Sequence, residues 1–184
     1  MSVSKRIYSL NEYSFDIIDS KEKAYVLGLF FADGYNSEKE GKIKITLLEQ
    51  DKDILEKAKK VFETNRPLKI KQGTLIKGTQ YKGNPTATLM ISNKHLSETF
   101  AKLGVVSNKT FSLTFPRWLK EEYIKDFIRG YFDGDGSIAK NKNKVRATII
   151  STEDFCWGIK NYLDSININS KIYHCKSQYV IEII

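Results

Sequence analysis

The chain has 184 residues, 41% of them hydrophobic and only three of them proline, which allows a buried core and excludes a low-complexity or collagen-like polypeptide. Thirty Lys and Arg against 22 Asp and Glu leave a net charge of +8, an excess that points toward a polyanionic partner such as nucleic acid. No apolar run reaches membrane-spanning length, and Met1 to Asp19 holds no apolar signal core, so a soluble protein is expected. Cys156 and Cys175 fit no metal-ligand spacing. They read as reduced thiols of an intracellular chain, cytoplasmic or organellar and not secreted, with a secreted disulfide as the alternative.

Residues 1–19 read as an N-terminal extension. After them, Val26 to Gly34 is an apolar helical stretch closing on Asp33-Gly34, with Gly28 and Ala32 four apart on one face. Lys42 to Leu47 alternates polar and apolar, the mark of a strand with one buried face. A helix is expected from Asp51, with Ile54, Leu55, Ala58, Val61 and Phe62 on one stripe. A hairpin follows, Leu68 to Leu75 returning through Thr86 to Ser92, with a long polar tip that contains Lys82. Next comes a helix over about Lys94 to Leu103, stopped by Gly104.

A short polar segment and Phe115-Pro116-Arg117 lead into a second apolar helix from about Lys120. Its end, Ile128 to Gly136, repeats the earlier phrase: Gly130 and Gly134 are the small residues, and Asp135-Gly136 closes it. Asp33 and Asp135 stand 102 residues apart, and at that offset Lys42 matches Lys144, Lys44 matches Arg146 and Thr46 matches Thr148. A helix then begins at Glu153 behind Thr152 as N-cap, with Phe155, Ile159, Tyr162 and Leu163 on one stripe. A hairpin, Lys171 to Cys175 returning through Gln178 to Ile184, ends the chain where a further helix is expected. Either the chain is naturally short there or it is truncated.

The chain is therefore read as an internal duplication, with a first repeat over 20–116 and a second over 117–184. The expected fold is α+β, a pseudo-twofold pair of αββαββ(α) repeats, with the two phrase-bearing helices packed at the interface. Small residues at Gly28, Ala32, Gly130 and Gly134 let two backbones approach, and the approach brings Asp33 and Asp135 side by side. Paired carboxylates of this kind suit a hard divalent cation. The exposed strand rows carry Lys42, Lys44, Thr46, Lys69, Lys71, Lys144, Arg146, Thr148, Lys171 and Tyr173. With Lys82, they form a candidate face for the grooves of DNA.

Over roughly residues 20 to 184 the chain resembles the two-motif, single-chain LAGLIDADG homing endonucleases. The resemblance implies antiparallel sheets forming a DNA-binding saddle and cleavage of both strands of a long asymmetric site. It implies metal binding by Asp33 and Asp135 with the backbone of Gly34 and Gly136. Mg²⁺ is the expected ion, with Mn²⁺ as substitute. Ser107-Asn108-Lys109-Thr110 is similar to a segment that holds a basic residue near the family's active site, which makes Lys109 the basic candidate. Asp133 has Phe31 as its counterpart, so it is given a local structural role. A monomer suffices, since one chain carries both motifs. The alternative readings are an RNA-binding maturase, with intron RNA as partner, and a DNA-binding protein that does not cleave.

Overall fold

The computed structural model describes residues 7–75, 77–78, 80–106, 112–141 and 144–184, with the side chains of Asn141 and Lys144 outside that description. Helix α1 (Lys21–Ala32) starts behind Ser20, whose side chain accepts from Lys23 N. Every residue of α1 from Val26 onward is buried, as expected of a helix that is apolar on all sides. Strands β1 (Tyr35–Ser37) and β2 (Lys42–Leu48), helix α2 (Lys52–Val61), strands β3 (Lys69–Lys71) and β4 (Thr86–Ser92) and helix α3 (Lys94–Leu103) complete the first unit. Asn93 caps α3 by accepting from Leu96 N at 2.8 Å, and Gly104 stops it at φ +108°, in the left-handed region.

The second unit repeats the order. Helix α4 (Glu121–Asp135) leads to β5 (Gly136–Asn141), β6 (Lys144–Ser151), α5 (Glu153–Ser165), β7 (Ser170–Cys175) and β8 (Gln178–Ile183). Thr152 caps α5 by accepting from Phe155 N, as its position before the helix implies. Each unit carries one antiparallel four-stranded sheet, ordered β1-β2-β4-β3 and β5-β6-β8-β7. The fold is thus the duplicated α+β arrangement expected from the sequence, with α1 packed on α4 between the units.

Two aromatic clusters fill the interior. Phe15, Phe30, Phe62 and Phe100 pack in the first unit with centroids 4.8–6.0 Å apart. Phe115, Phe127, Tyr131 and Phe155 pack in the second. Phe31 leaves α1 to join that second cluster, edge-on to Phe127 at 5.0 Å, so the two cores interlock across the helix pair.

Three details depart from the sequence reading. The extension is part of the first core: Phe15 is fully buried against Phe62 and Phe100, and Asn11 N donates to Phe62 O. The first long hairpin is shorter than Leu68 to Leu75, because β3 ends at Lys71. At Gly73 the chain passes so close to Gly83 that a Cβ would overlap the Gly83 carbonyl; beyond it Gly83 N donates to Thr74 O, and Leu75 and Lys82 form an isolated bridge. Finally, β5 is slid by two residues relative to β1. Ser37 faces Lys42, whereas Ala139, its counterpart, faces Arg146 instead of Lys144. A two-residue slip leaves every side chain on its original face, so the duplication survives it.

Candidate functional site

The seam between α1 and α4 is built on glycine. A Cβ on Gly28 would overlap the Phe127 carbonyl, and one on Gly130 would overlap the Tyr25 carbonyl. Those two collisions are related by the same 102-residue offset, so the crossing is symmetric at the backbone. One turn further on, a Cβ on Gly134 would stand 2.5 Å from Ala32 Cβ and 3.1 Å from Asp33 Oδ2. The Asp33 carboxylate therefore leans over the end of α4. Asp33 is the C-cap of α1, while α4 runs through Asp135 and passes directly into β5 at Gly136. Both aspartates are solvent-exposed.

Each carboxylate lines its own cavity. One of about 600 Å³ holds Asp33 with Thr46, Leu48, Asp51 and Asp133. One of about 410 Å³ holds Asp135 with Thr148, Ile150, Tyr131 and Phe31. Asp33, Thr46 and Leu48 correspond to Asp135, Thr148 and Ile150 at the repeat offset, so the two cavities are versions of one feature. Their chemistry differs through the residue two before each motif Asp. Asp133 reaches from α4 into the first cavity, while Phe31 reaches from α1 into the second.

Asp133 accepts a 2.7 Å hydrogen bond from Tyr25 Oη, and the Arg129 guanidinium lies 4.8 Å over the Tyr25 ring. Burial, then the bond to Asp133, pushes the Tyr25 phenol well above its ordinary 10.0, so it stays a donor. The local structural role expected of Asp133 thus has a named partner on the opposite helix. In the second cavity, Tyr131 Oη meets Ser151 Oγ at 3.1 Å. Burial raises that phenol too, Ser151 opposes the shift, and the charge of Asp135 adds to it.

The basic rows lie where strand alternation puts them. Lys42, Lys44 and Thr46 face away from the buried Ile43 and Ile45. Lys69 and Lys71 share that face through β4, which places Thr46, Thr88 and Lys69 in one row. Thr46 and Thr88 hydroxyls meet at 2.9 Å, and Lys44 Nζ lies 4.9 Å over the Tyr35 ring. In the second sheet Thr148, Glu182 and Lys171 form the corresponding row, with Arg146 and Tyr173 on the same face. Glu182 is the residue that sequence reasoning missed: it stands where the first sheet has Thr88. Its Oε1 lies 3.2 Å from Arg146 Nε, so the two form an ion pair across the strands of that face. The strand register alone reveals this, since Glu182 and Arg146 are far apart in the chain. Lys82 lies off the sheets, in its isolated bridge. Lys109 lies outside the described residues, and Lys144 is placed only as a strand residue.

Both cysteines are free thiols, and burial raises that of Cys156 to about 11. His95 Nε2 lies 2.7 Å from Asp16 Oδ1, and its ring packs edge-on to Tyr13. Among the described residues no helix is long and apolar enough to cross a membrane. Nor do they hold a group of three or more His, Cys, Asp or Glu arranged to bind a metal. Two exposed carboxylates with hard oxygen donors fit a Mg²⁺-type ion whose remaining ligands are water and substrate phosphate, since such ions keep several waters and rarely sit in all-protein cages.

A duplicated αββαββ unit, joined by a glycine-seamed helix pair with an accessible aspartate ending each helix, defines a class of pseudo-twofold α+β proteins. Residues 20–104 and 122–184 match the model of the LAGLIDADG-like domain, and the chain belongs to that family. Among solved structures it is similar to the homing endonuclease I-DmoI. A point variant of I-DmoI in complex with its target DNA in the presence of Mg gives a TM-score of 0.59 at 19% identity, covering 95% of this chain and 92% of that one. The complex with DNA and Mn gives 0.56 at 17% identity, covering 95% and 91%. A probable cell division protein WhiA from Clostridium acetobutylicum is 23% identical over 71% of this chain and 42% of its own length. The reverse gyrase of Thermococcus kodakarensis is 32% identical over 62% of this chain but 6% of its own length. The chain thus spans less than half the length of these two curated relatives.

Proposed function

We propose that this protein is a metal-dependent endonuclease that cleaves both strands of double-stranded DNA at a specific site and acts as a monomer. The observation that carries the reading is the end of the seam. Two glycine-packed helices deliver Asp33 and Asp135, in repeat register, to cavities that open beside the basic sheet faces. Mg²⁺ or Mn²⁺ held by the two carboxylates, with the backbone of Gly34 and Gly136 beside them, supplies a Lewis acid and an activated water for phosphodiester hydrolysis. The chain's own part is positional. Gly28, Ala32, Gly130 and Gly134 set the carboxylate separation, and the rows Lys42–Lys44–Lys69–Lys71 and Lys144–Arg146–Lys171 hold the phosphate backbone. Lys109, by resemblance, adds positive charge beside the scissile phosphate. The two repeats, 20–116 and 117–184, each serve one half of an asymmetric target.

The similarity to I-DmoI complexes with DNA and divalent metal supports this reading. Intron homing is the biological setting it suggests. A second reading, DNA binding without cleavage, is favoured by the similarity to the probable cell division protein WhiA. A maturase acting on intron RNA is the third. Incubation with a randomised DNA library in Mg²⁺ separates them: specific double-strand breaks support the endonuclease. Selective retention of uncut DNA, or of a structured RNA, assigns the chain to the other two.

A further inference from the structure

The second unit packs core where the first is open. At the repeat offset, Tyr25, Arg129 and Asp133 correspond to Phe127, Leu27 and Phe31. Those three apolar residues are buried: Phe31 lies edge-on to Phe127, and Phe115 packs on Phe127 while pressing against Gly158. In the first unit the polar trio instead lines a cavity of about 670 Å³ between the start of α1 and the end of α2, with Val26 and Val61 as its apolar wall. Arg129 lies over the Tyr25 ring, and the Tyr25 hydroxyl donates to Asp133.

Five cations and two carboxylates, Glu22 and Asp133, line this cavity. Lys23 pairs with Asp19 and Lys57 with Asp53, while Asp126 lies 3.4 Å from Arg129 Nη2. Among the described residues no carboxylate pairs with Lys21 or Lys60, which line the cavity from α1 and α2. This charge is peculiar to the first unit. Lys21 corresponds to Tyr123 at the repeat offset. Helices α2 and α5 begin at Lys52 and Glu153, 101 residues apart, and at that spacing the buried Leu55, Ala58 and Phe62 match the buried Cys156, Ile159 and Leu163. Lys57 and Lys60 then match Gly158 and Asn161, so only Lys23 keeps a basic counterpart, Lys125.

We propose that this cavity binds a nucleoside phosphate. Its volume falls in the range of small-molecule sites, about 300–1,000 Å³. Lys21 and Lys60 reach it from two different helices on flexible stems, as point charges for one phosphate group. The Val26–Val61 wall and the Tyr25 ring take the base, an apolar contact that inorganic phosphate cannot make. Asp133 offers an acceptor to a sugar hydroxyl or to an amino group of the base. A nucleic-acid backbone suits the cavity less well, because its phosphates leave the apolar wall unused. The site is independent of whether DNA is cut.

The test is calorimetric titration of the whole chain with AMP and ADP, beside adenosine and inorganic phosphate. The nucleotides should bind saturably, about tenfold or more tighter than either half alone. Lys21→Glu and Lys60→Glu should each weaken them about tenfold, whereas Lys102→Glu, the same charge change on α3, should leave them within about twofold. Amide exchange should slow over residues 20–26 and 57–61 when ADP is present. All three substituted lysines are exposed, and circular dichroism checks that the variants fold. Absence of saturable nucleotide binding overturns the proposal, as does binding that all three substitutions weaken alike. Short duplex DNA is the last arm: DNA binding weakened by Lys60→Glu, with no uptake of nucleotide, would overturn the proposal and give the cavity to the DNA backbone.

Discussion

Glu182 places a negative charge inside a row proposed above to meet DNA. Its partner Arg146 and its cross-strand neighbours Thr148 and Lys171 make the two sheet faces chemically unequal. Glu182→Gln should therefore tighten binding to non-specific DNA at low salt. The slope of log K against log salt should steepen by up to about 0.9, as one more cation becomes available to phosphate. Salt-dependent anisotropy measures this, and an unchanged slope would remove Glu182 from the face. At this scale the matched placement of Asp33 and Asp135 at the helix ends was legible because each occurs in a repeated phrase. Tyr25–Asp133 and Arg146–Glu182 were not, since both contacts depend on a crossing angle or a strand register that no local pattern encodes.

Among the elements, the glycine seam makes the firmest demand. Gly28→Ala must push a methyl into the Phe127 carbonyl, which is backbone and cannot rotate away. Overpacking of this kind costs roughly 1–3 kcal/mol, partly offset by the ~1 kcal/mol by which alanine favours a helix. A lowered Tm is expected, together with a disproportionate loss of any metal-dependent activity, because the carboxylates separate. An equal Tm would show that the helices are less tightly crossed. The helices themselves were well read from capping and periodicity: α3 falls on Lys94–Leu103 and stops at Gly104 as expected. The hairpins were less so. Alternation of period two is blind to a two-residue slip, which is why the offset of β5 went unseen. The early end of β3 follows from the close passage of Gly73 past Gly83, a tertiary contact.

For the whole molecule, each unit is anchored by residues that precede its motif helix: Phe15 in the first, Phe115 and Arg117 in the second. Arg117 Nη2 lies 2.8 Å from Asp154 Oδ1, and Asp154 Oδ2 also accepts from Phe115 N at 2.9 Å. Arg117 holds the Asp154 carboxyl below its ordinary 3.8. A depressed carboxylate contributes stability that is fully present above the unfolded value and fades as pH falls through the folded one. The Tm gap between wild type and Asp154→Asn should therefore be constant near neutrality and close below pH 3.8. Both side chains are partly exposed, so the gap corresponds to less than about 1 kcal/mol. A gap that persists in strong acid would assign the effect to something other than this pair.

The central claim is that Asp33 and Asp135 act together on DNA through a divalent ion. Cleavage of a selected target in Mg²⁺, run beside binding to the same DNA in its absence, tests it most directly with wild type, Asp33→Asn and Asp135→Asn. Wild type should cut both strands at one site, and chelation of the metal should stop it. Each Asn variant should bind within about threefold of wild type and make no double-strand break. Undiminished double-strand cleavage by either variant, or by wild type without a divalent ion, would contradict the account.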